Sequence, residues 1–158
     1  MAKTVGFIGS GNMGRAIMGG MIAAGLYAPS QILASAKTKE TVEKIEKELG
    51  IVATTDNTEV AKKADILFLA VKPGVFATVI PQIRDVCKEG QVVVSIAAGQ
   101  TLASITDLFG RQIKLVRSMP NTPALVGEAM SAVTPNEKIS PEELQEVLHY
   151  TFKNPALL

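Results

Sequence analysis

The segment VGFIGSGNMG, residues 5–14, decides the fold of this chain. An apolar run, Val5–Ile8, leads directly into Gly9, Gly11 and Gly14, and a helical pattern follows. G-x-G-x-x-G between a strand and a helix is the fingerprint of a dinucleotide-binding βαβ unit. Its first glycine permits a tight turn, its second lets a pyrophosphate approach the backbone, and its third allows close helix–strand packing. We therefore predict that the helix starting at Asn12 points its first N–H groups at the phosphates of a dinucleotide.

Short apolar runs alternate with helical stretches along the rest of the chain. The predicted strands are Val5–Ile8, Ile32–Ser35, Ile51–Ala53, Ile66–Val71, Val92–Ile96 and Ile113–Arg117. The predicted helices are Asn12–Ala24, Lys39–Leu49, Asn57–Lys63, Val75–Lys88 and Leu102–Phe109. Apolar strands alternating with helices predict an α/β fold of the Rossmann type, a doubly wound, mainly parallel sheet with helices on both faces.

Three residues inside the predicted helices are unfavourable there. Pro81 is expected to break the fourth helix and to start its second piece. Gly19 and Gly20 each cost about 1 kcal/mol relative to alanine in a helix interior, so we expect both to pack closely against a neighbouring element.

After Ser118 the helical period disappears and prolines become frequent. We expect a loop there, followed by a strand near Ala129–Thr134. A last helix should then begin with a capping box of Ser140 and Glu143, with Pro141 at its first position.

Composition limits the class of function. With 158 residues, 47% of them hydrophobic, and a net charge of +1, we expect one soluble globular domain without a basic field for nucleic acid. No apolar run reaches the roughly 18 residues of a membrane span, and MAKTVGFIGS leaves no room for a signal peptide. The single cysteine, Cys87, excludes an intrachain disulfide and is interpreted as a small hydrophobe rather than a nucleophile. The single histidine, His149, excludes a His-rich metal site, so we expect no metal. The single cysteine and the absence of a signal peptide or membrane span fit a reducing cytoplasm, where we expect this protein to be located.

The end of the second strand indicates which dinucleotide is bound. An NAD site usually has an Asp or Glu about 20 residues after the glycines, but ILASAKTKE, residues 32–40, has no acid before Glu40. It offers hydroxyl and ammonium groups instead, on Ser35, Lys37, Thr38 and Lys39. Such groups suit the 2′-phosphate of NADPH, although the two lysines could also be solvated charges at a helix start. We predict NADPH as the cofactor, with NADH as the alternative.

The fourth and fifth strands end in LFLAVKP and SIAAGQT. Lys72 could approach the cofactor or the substrate, or it could be an ordinary loop lysine before the turn-forming Pro73. Ala97, Ala98 and Gly99 are small enough to let a flat nicotinamide ring lie against the backbone.

Four segments together resemble one family. VGFIGSGNMG, DILFLAVKP, VVVSIAAGQT and RSMPNTPALVGE closely resemble pyrroline-5-carboxylate reductase, the last enzyme of proline biosynthesis, and MPNTPA after an AAG strand end is the most specific part. The resemblance covers about residues 3–149, which correspond to the dinucleotide-binding half of the family. It implies that Asn57 reaches the adenosine ribose. The glycine fingerprint adds Gly14 to the cofactor site. The resemblance implies further cofactor contacts from Ile8, Gly9, Ser10, Gly11, Asn12, Met13, Ser35, Ala36, Lys37, Asn57, Ala70, Val71, Lys72, Pro73, Ala97, Ala98 and Gly99. The residues implied to line the nicotinamide and substrate side are Met119, Pro120, Asn121, Thr122 and Pro123.

The resemblance also implies the reaction, which is reduction of 1-pyrroline-5-carboxylate to L-proline. A cyclic imine protonated on nitrogen accepts a hydride from NADPH without a metal or a covalent nucleophile, so the protein must chiefly bind, orient and exclude water. In the family a C-terminal helical domain forms the homo-oligomer and carries a threonine that grips the substrate carboxylate. We expect residues 1–150 to form the cofactor domain, residues 151–158 to be a tail outside the family pattern, and that helical domain to be missing. Catalysis by this chain alone is then not expected.

Two other functions remain open. One is a related reductase of the 3-hydroxyacid dehydrogenase type with the same cofactor domain, against which MPNTPA argues. The other is a non-catalytic dinucleotide-binding module, which the missing substrate domain leaves possible.

Overall fold

The computed structural model describes residues 3–97, 99–119 and 132–152. In these ranges one sheet contains β1 (Val5–Ile8), β2 (Ile32–Ser35), β3 (Val52–Thr54), β4 (Ile66–Leu69), β5 (Val92–Ser95), β6 (Lys114–Met119) and β7 (Ala132–Pro135). The α-helices are α1 (Asn12–Ala23), α2 (Lys39–Leu49), α3 (Asn57–Lys63), α4 (Phe76–Ile83), α5 (Leu102–Phe109) and α6 (Pro141–Phe152). The strand order is β3-β2-β1-β4-β5-β6-β7, parallel throughout except for β7, which runs antiparallel to β6. The predicted doubly wound Rossmann-type sheet is confirmed.

Helices cover both faces of the sheet, and the central strands β1, β2, β4 and β5 are buried along their whole length. One apolar cluster joins the sheet to α1, α2 and α6, and a second joins it to α3, α4 and α5. Phe7 and Phe68 are register partners on β1 and β4, and their rings stack with centroids 4.7 Å apart. Truncating either buried ring would cost about 3–5 kcal/mol, so this pair contributes strongly to the stability of the sheet beneath the loops.

Local signals placed most elements correctly. The bounds of α2, α3 and α5 agree with the prediction, because each begins at a side-chain cap, namely Thr38, Asp56 and Thr101. The bounds of the six parallel strands differ from the prediction by at most two residues at either end. In the described parts of the chain, no helix combines the length and the apolar content that crossing a bilayer requires.

The predicted break at Pro81 is wrong. α4 runs through this residue without interruption and ends at Ile83, five residues before the predicted end. Its buried side chains, Phe76, Val79, Ile80 and Ile83, form one continuous apolar face. Burying that face outweighs the single backbone hydrogen bond that a proline removes from a helix.

The predicted close packing of Gly19 is also wrong. A Cβ built on Gly19 would have its nearest neighbour, Leu49 Cδ2, at 3.8 Å, which is ordinary van der Waals contact. A side chain therefore fits at this position of α1. The explanation for Gly20 stays a prediction.

The C-terminal part adds one antiparallel strand and one helix. β7 begins at Ala132, and residues 129–131 of the predicted strand lie outside the described residues. The predicted capping box of α6 is confirmed, since Ser140 and Glu143 exchange hydrogen bonds of 2.9 and 3.1 Å. Lys114 Nζ lies 2.7 Å from Glu143 Oε2 and so ties this helix to the start of β6.

Candidate dinucleotide-binding site

The carboxyl ends of β1 and β4 mark the point where the strand order reverses. From there the chain runs outward through β2 and β3 on one side and through β5 and β6 on the other. Leu69 pairs with both Ile8 and Ser95, so the three central strands end level with one another. Ligands of open α/β sheets bind in the crevice at such a point. The loops that carry the predicted cofactor residues all leave the sheet at this edge.

Gly9 forms the tight turn that the fingerprint predicts. Its φ is +93°, which glycine adopts readily and other residues rarely do. A Cβ here would lie 2.7 Å from Val71 Cγ1 and 2.9 Å from the carbonyl oxygen of Ala70. At Gly14 a Cβ would lie 3.3 Å from Ala70 Cβ, so this position packs α1 tightly against the loop after β4. Both glycines serve the packing of the turn itself.

Gly11 differs from these two glycines because no protein atom requires it. A Cβ built on Gly11 would have nothing within 4 Å, and its backbone is extended at the N-cap of α1. The N-cap offers no side-chain cap, and the first turn of α1 contains no acidic residue. The first N–H groups of a helix are unsatisfied within the helix and carry the positive end of its dipole. A pyrophosphate fits this open, uncapped helix start.

Ser35 lies beneath the glycine turn. Its side chain is 1% exposed, and its Oγ accepts a hydrogen bond of 3.1 Å from the N–H of Gly9. Its carbonyl oxygen accepts a second bond of 3.0 Å from Ser10 Oγ, which is buried as well. The Ser35 hydroxyl therefore holds the glycine turn from below, and its contact with the cofactor stays a prediction.

The positive charges predicted for the 2′-phosphate do lie at the surface. Lys37 and Lys39 are exposed between β2 and α2, whereas Ala36 is buried and donates its N–H to the carbonyl of Thr54. Thr38 Oγ1 accepts from the N–H of Thr41 and so caps α2. The two ammonium groups are thus the surface groups of this segment that an anion can reach.

Asn57 stands at the carboxyl end of β3, where the adenosine side of the crevice would lie. The cap of α3 is Asp56, whose carboxylate accepts from the hydroxyl and the N–H of Thr58 at 2.6 and 2.9 Å. Those bonds hold the pKa of Asp56 below its ordinary value, so it stays an anion committed to the helix end. The Asn57 amide donates to Gln82 Oε1 at 3.1 Å.

The loops after β4 and β5 form the other end of the crevice. Lys72 is exposed and precedes a short 3₁₀ turn, Pro73–Val75, while Ala97 is buried and Gly99 is exposed. Ala70 donates its N–H to the carbonyl of Ile8 at 2.8 Å, which joins this loop to the glycine turn. Ala98 and residues 120–123 lie outside the described residues, and Met119 is described only as the last residue of β6. The structure therefore brings the predicted cofactor loops together but does not place the predicted substrate side.

Sequence reasoning missed Arg15. Its Nε donates to the carbonyl of Ser10 at 3.1 Å, and its Nη1 lies 3.7 Å from Glu48 Oε2. The side chain thus fixes the glycine turn from the helix side. Its position, one helical turn after Gly11, is the signal that could have identified it.

Cys87 lies at the opposite end of the sheet from this crevice. It lines a groove of about 460 Å³ beside the amino ends of β5 and β6, together with Gln91 and Arg111. Burial raises the pKa of its thiol to about 11, so the thiolate is scarce at neutral pH and the interpretation as a hydrophobe is supported. Among the described residues, no three His, Cys, Asp or Glu side chains cluster as metal ligands.

The comparisons with known proteins match one family model and several pyrroline-5-carboxylate reductases. The family model described as NADP oxidoreductase coenzyme F420-dependent matches residues 4–99. Pyrroline-5-carboxylate reductase of Escherichia coli (strain K12) is 45% identical over 149 residues, which are 94% of this chain and 55% of that protein. The structure of a pyrroline-5-carboxylate reductase from Coxiella burnetii has a TM-score of 0.87 and 31% identity, covering 95% of this chain and 56% of that one. The Plasmodium falciparum pyrroline carboxylate reductase with NADP bound has a TM-score of 0.80 and 26% identity, covering 94% and 53%.

These matches confirm the resemblance that the motifs indicated. The chain spans about half the length of the curated relatives it matches. The family model covers more than half of the 158 residues, including the glycine turn and the strands from β1 to β5. The chain belongs to the family of NADP oxidoreductases described as coenzyme F420-dependent.

Proposed function

We propose that this chain binds NADPH and is the cofactor-binding part of an enzyme that reduces 1-pyrroline-5-carboxylate to L-proline. The observation that carries the proposal is the open space at Gly11 in front of the uncapped start of α1, at the reversal point of the sheet. The similarity to pyrroline-5-carboxylate reductases supports the reaction, and the NADP bound to the Plasmodium falciparum relative supports the cofactor.

Each end of the cofactor has a part of the crevice suited to it. The first N–H groups of α1 would bind the pyrophosphate, helped by the helix dipole. Lys37 and Lys39 would bind the 2′-phosphate, since both are exposed cations and no acid precedes Glu40 in this segment. Asn57 would bind the adenosine ribose. The loops that contain Lys72 and Gly99 would flank the nicotinamide.

The reduction requires no covalent bond between the protein and the substrate. When bound, the reduced nicotinamide supplies the hydride that the carbon of the protonated imine accepts. The contribution of this chain is to hold the dinucleotide rigidly, with one ring face against the short side chain of Ala97 and the backbone of Gly99. Orienting the reactants in this way and excluding water can lower the activation free energy of hydride transfer by a large amount.

We further propose that residues 1–150 form the cofactor domain and that residues 151–158 lie outside the pattern of the family. The match covers 55% of the Escherichia coli protein, and the substrate carboxylate would be held by a helical domain beyond the matched part. That domain would also form a homo-oligomer. The balance of charge and the single cysteine favour the cytoplasm as its compartment.

The decisive experiment is calorimetric titration of the chain with NADPH and NADH in parallel. We expect binding of both, with NADPH the tighter ligand. Equal affinities, or tighter binding of NADH, would contradict the role given to Lys37 and Lys39.

A second experiment separates the reductase from a binding module without catalytic function. Residues 1–150 are fused to the C-terminal part of the Escherichia coli reductase, and oxidation of NADPH is followed with 1-pyrroline-5-carboxylate. Turnover supports the proposed reaction. Tight NADPH binding without turnover in a folded fusion supports the module instead.

A further inference from the structure

The side chain of Gln100 joins the two loops that flank the proposed nicotinamide site. Its Nε2 donates to the carbonyl oxygen of Pro73 at 3.2 Å, in the loop after β4. Its Oε1 lies 3.1 Å from Ser104 Oγ, in the first turn of α5, and the single proton of that hydroxyl is shared with the carbonyl of Thr101 at 3.0 Å. Residues 73 and 100 are far apart in the sequence, so this bridge is a tertiary contact and not part of a local turn.

The orientation of this amide is determined by its neighbours. A backbone carbonyl can only accept, so the –NH₂ group of Gln100 must face Pro73. Ser104 is fixed in turn by the capping box of α5, where Thr101 and Ser104 exchange bonds of 3.0 and 3.1 Å. The bridge is therefore anchored on the end of a helix and reaches from there to the loop.

Among the described residues, the backbone pairing that joins these two loops is short, and Val71, Val75, Ala97 and Leu102 pack into the same apolar cluster. β4 and β5 pair only as far as Leu69 and Ser95, with one further long bond of 3.5 Å from the N–H of Ile96. Beyond that point Gly74 and Gly99 are both exposed, and a Cβ on either would have nothing within 4 Å. Glycines without packing partners make a loop easy to deform. The Gln100 side chain is thus a hydrogen-bonded link between the described parts of the two loops, beyond the paired strands.

We propose that Gln100 is a positioning residue for the nicotinamide half of the cofactor. It holds Lys72 and Pro73 at a fixed distance from Ala97 and Gly99, so that the flat ring enters a preformed slot. Without the bridge, ligand binding must order the loop after β4, and the cost of that ordering falls on the nicotinamide half. The inference rests on the proposed NADPH function.

The test compares two ligands that differ only at that half, NADPH and 2′-phospho-ADP-ribose. Gln100→Met keeps the length and neutrality of the side chain but removes both hydrogen bonds. Because the net value of such bonds is about 1 kcal/mol, we expect the Kd for NADPH to rise about fivefold in this variant. The Kd for 2′-phospho-ADP-ribose should stay at the wild-type value.

Gln31→Met is the matched control. The Gln31 side chain also makes two hydrogen bonds, from the N–H of Ala28 at 2.9 Å and to the carbonyl of Lys3 at 3.1 Å. Those bonds lie before β2, at the amino end of the strands. We expect this variant to bind both ligands as the wild type does.

Two results would overturn the inference alone, provided that the wild type binds both ligands. One is an unchanged Kd for NADPH in Gln100→Met, and the other is an equal loss of affinity for the two ligands. Failure of the wild-type chain to bind either ligand would overturn the proposed function and, with it, this inference.

Discussion

Ser35 supports the glycine turn through the hydrogen bond that its hydroxyl accepts from the N–H of Gly9 at 3.1 Å. Ser10 completes the link by donating its hydroxyl to the carbonyl of Ser35 at 3.0 Å. The two bonds join the end of β2 to the turn after β1. Neither bond uses the first N–H groups of α1, so the turn is preorganised for the proposed pyrophosphate.

Replacing Ser35 by alanine should weaken this support. The N–H of Gly9 loses its partner in a region sheltered from water, so we expect the free energy of unfolding to fall by about 1–2 kcal/mol. The Kd for NADPH should rise about fivefold, because part of the binding energy must then order the turn. Urea unfolding and calorimetric titration measure the two effects.

Thr106→Ala is the control for Ser35. The Thr106 hydroxyl also makes a hydrogen bond to the backbone, donating to the carbonyl of Leu102 at 2.7 Å, but on α5 and away from the turn. Its NADPH affinity should match the wild type. If Ser35→Ala binds NADPH as tightly as the wild type does, the turn does not depend on this bond.

Gly11 and Gly9 should respond oppositely to substitution. Gly11→Val places its side chain in open space, so the melting temperature should stay close to that of the wild type while NADPH binding is lost. Gly9→Ala adds a Cβ 2.9 Å from a backbone oxygen at a φ of +93°, so we expect a loss of about 2 kcal/mol or more in stability. Thermal unfolding and titration of both variants test the pair. Retained NADPH binding in Gly11→Val would place the phosphates elsewhere.

The glycine positions show what a local pattern can predict. The roles of Gly9, Gly11 and Gly14 follow from their spacing, because a strand, a turn and a helix start within ten residues leave little choice of backbone. Caps such as Thr38 are equally local. These features fixed the Rossmann class and one end of the crevice before any tertiary contact was known.

Tertiary contacts account for the features that the sequence did not predict. Pro81 should end a helix by local rules, yet the buried face that includes Phe76 and Ile83 keeps α4 whole. The position of Ser35 at a strand end suggested a ligand, but only its neighbours show that the hydroxyl points to Gly9. The bridge from Gln100 joins loops 27 residues apart, and no local pattern encodes it.

Lys37 should determine the preference between the two nicotinamide cofactors. Lys37→Glu places a negative charge near the proposed 2′-phosphate, and we expect about a tenfold loss of NADPH affinity at low salt. NADH lacks that phosphate and should bind nearly as before. Lys47→Glu, at the other end of α2, should change neither affinity. Parallel loss of both cofactors in Lys37→Glu would show that this lysine does not face the 2′-phosphate.

Asp65 should make stability depend on pH. Lys88 Nζ donates to its carboxylate at 2.8 Å and the N–H of Thr4 donates at 2.9 Å, so the pKa of Asp65 lies below the ordinary 3.8. A lowered pKa in the folded state stabilises the fold above pH 3.8, and this contribution is lost as the pH falls from there through the folded-state pKa. We expect Asp65→Asn to cost about 0.5–1 kcal/mol at neutral pH, since both partners are partly exposed, and almost nothing in strong acid.

Urea unfolding at several pH values measures this difference. Lys88→Met is the matched variant, because it removes the main cause of the lowered pKa of Asp65. In this variant the free energy of unfolding should depend less on pH in the acid range. A constant difference between wild type and Asp65→Asn across the range would contradict the assignment.

Gly19→Ala should stabilise the chain. Gly19 lies in the middle of α1 with helical neighbours on both sides, where alanine is favoured over glycine by about 1 kcal/mol. The added methyl group would contact Leu49 Cδ2 at 3.8 Å, so it fills space without a clash. The midpoint of urea unfolding should therefore rise, with an unchanged slope and unchanged NADPH affinity.

Gly14→Ala is the contrast on the same helix, because its methyl group would lie 3.3 Å from Ala70 Cβ and should bring no gain in stability. A lower midpoint for Gly19→Ala would mean that α1 and α2 pack more closely in solution than the contact with Leu49 indicates.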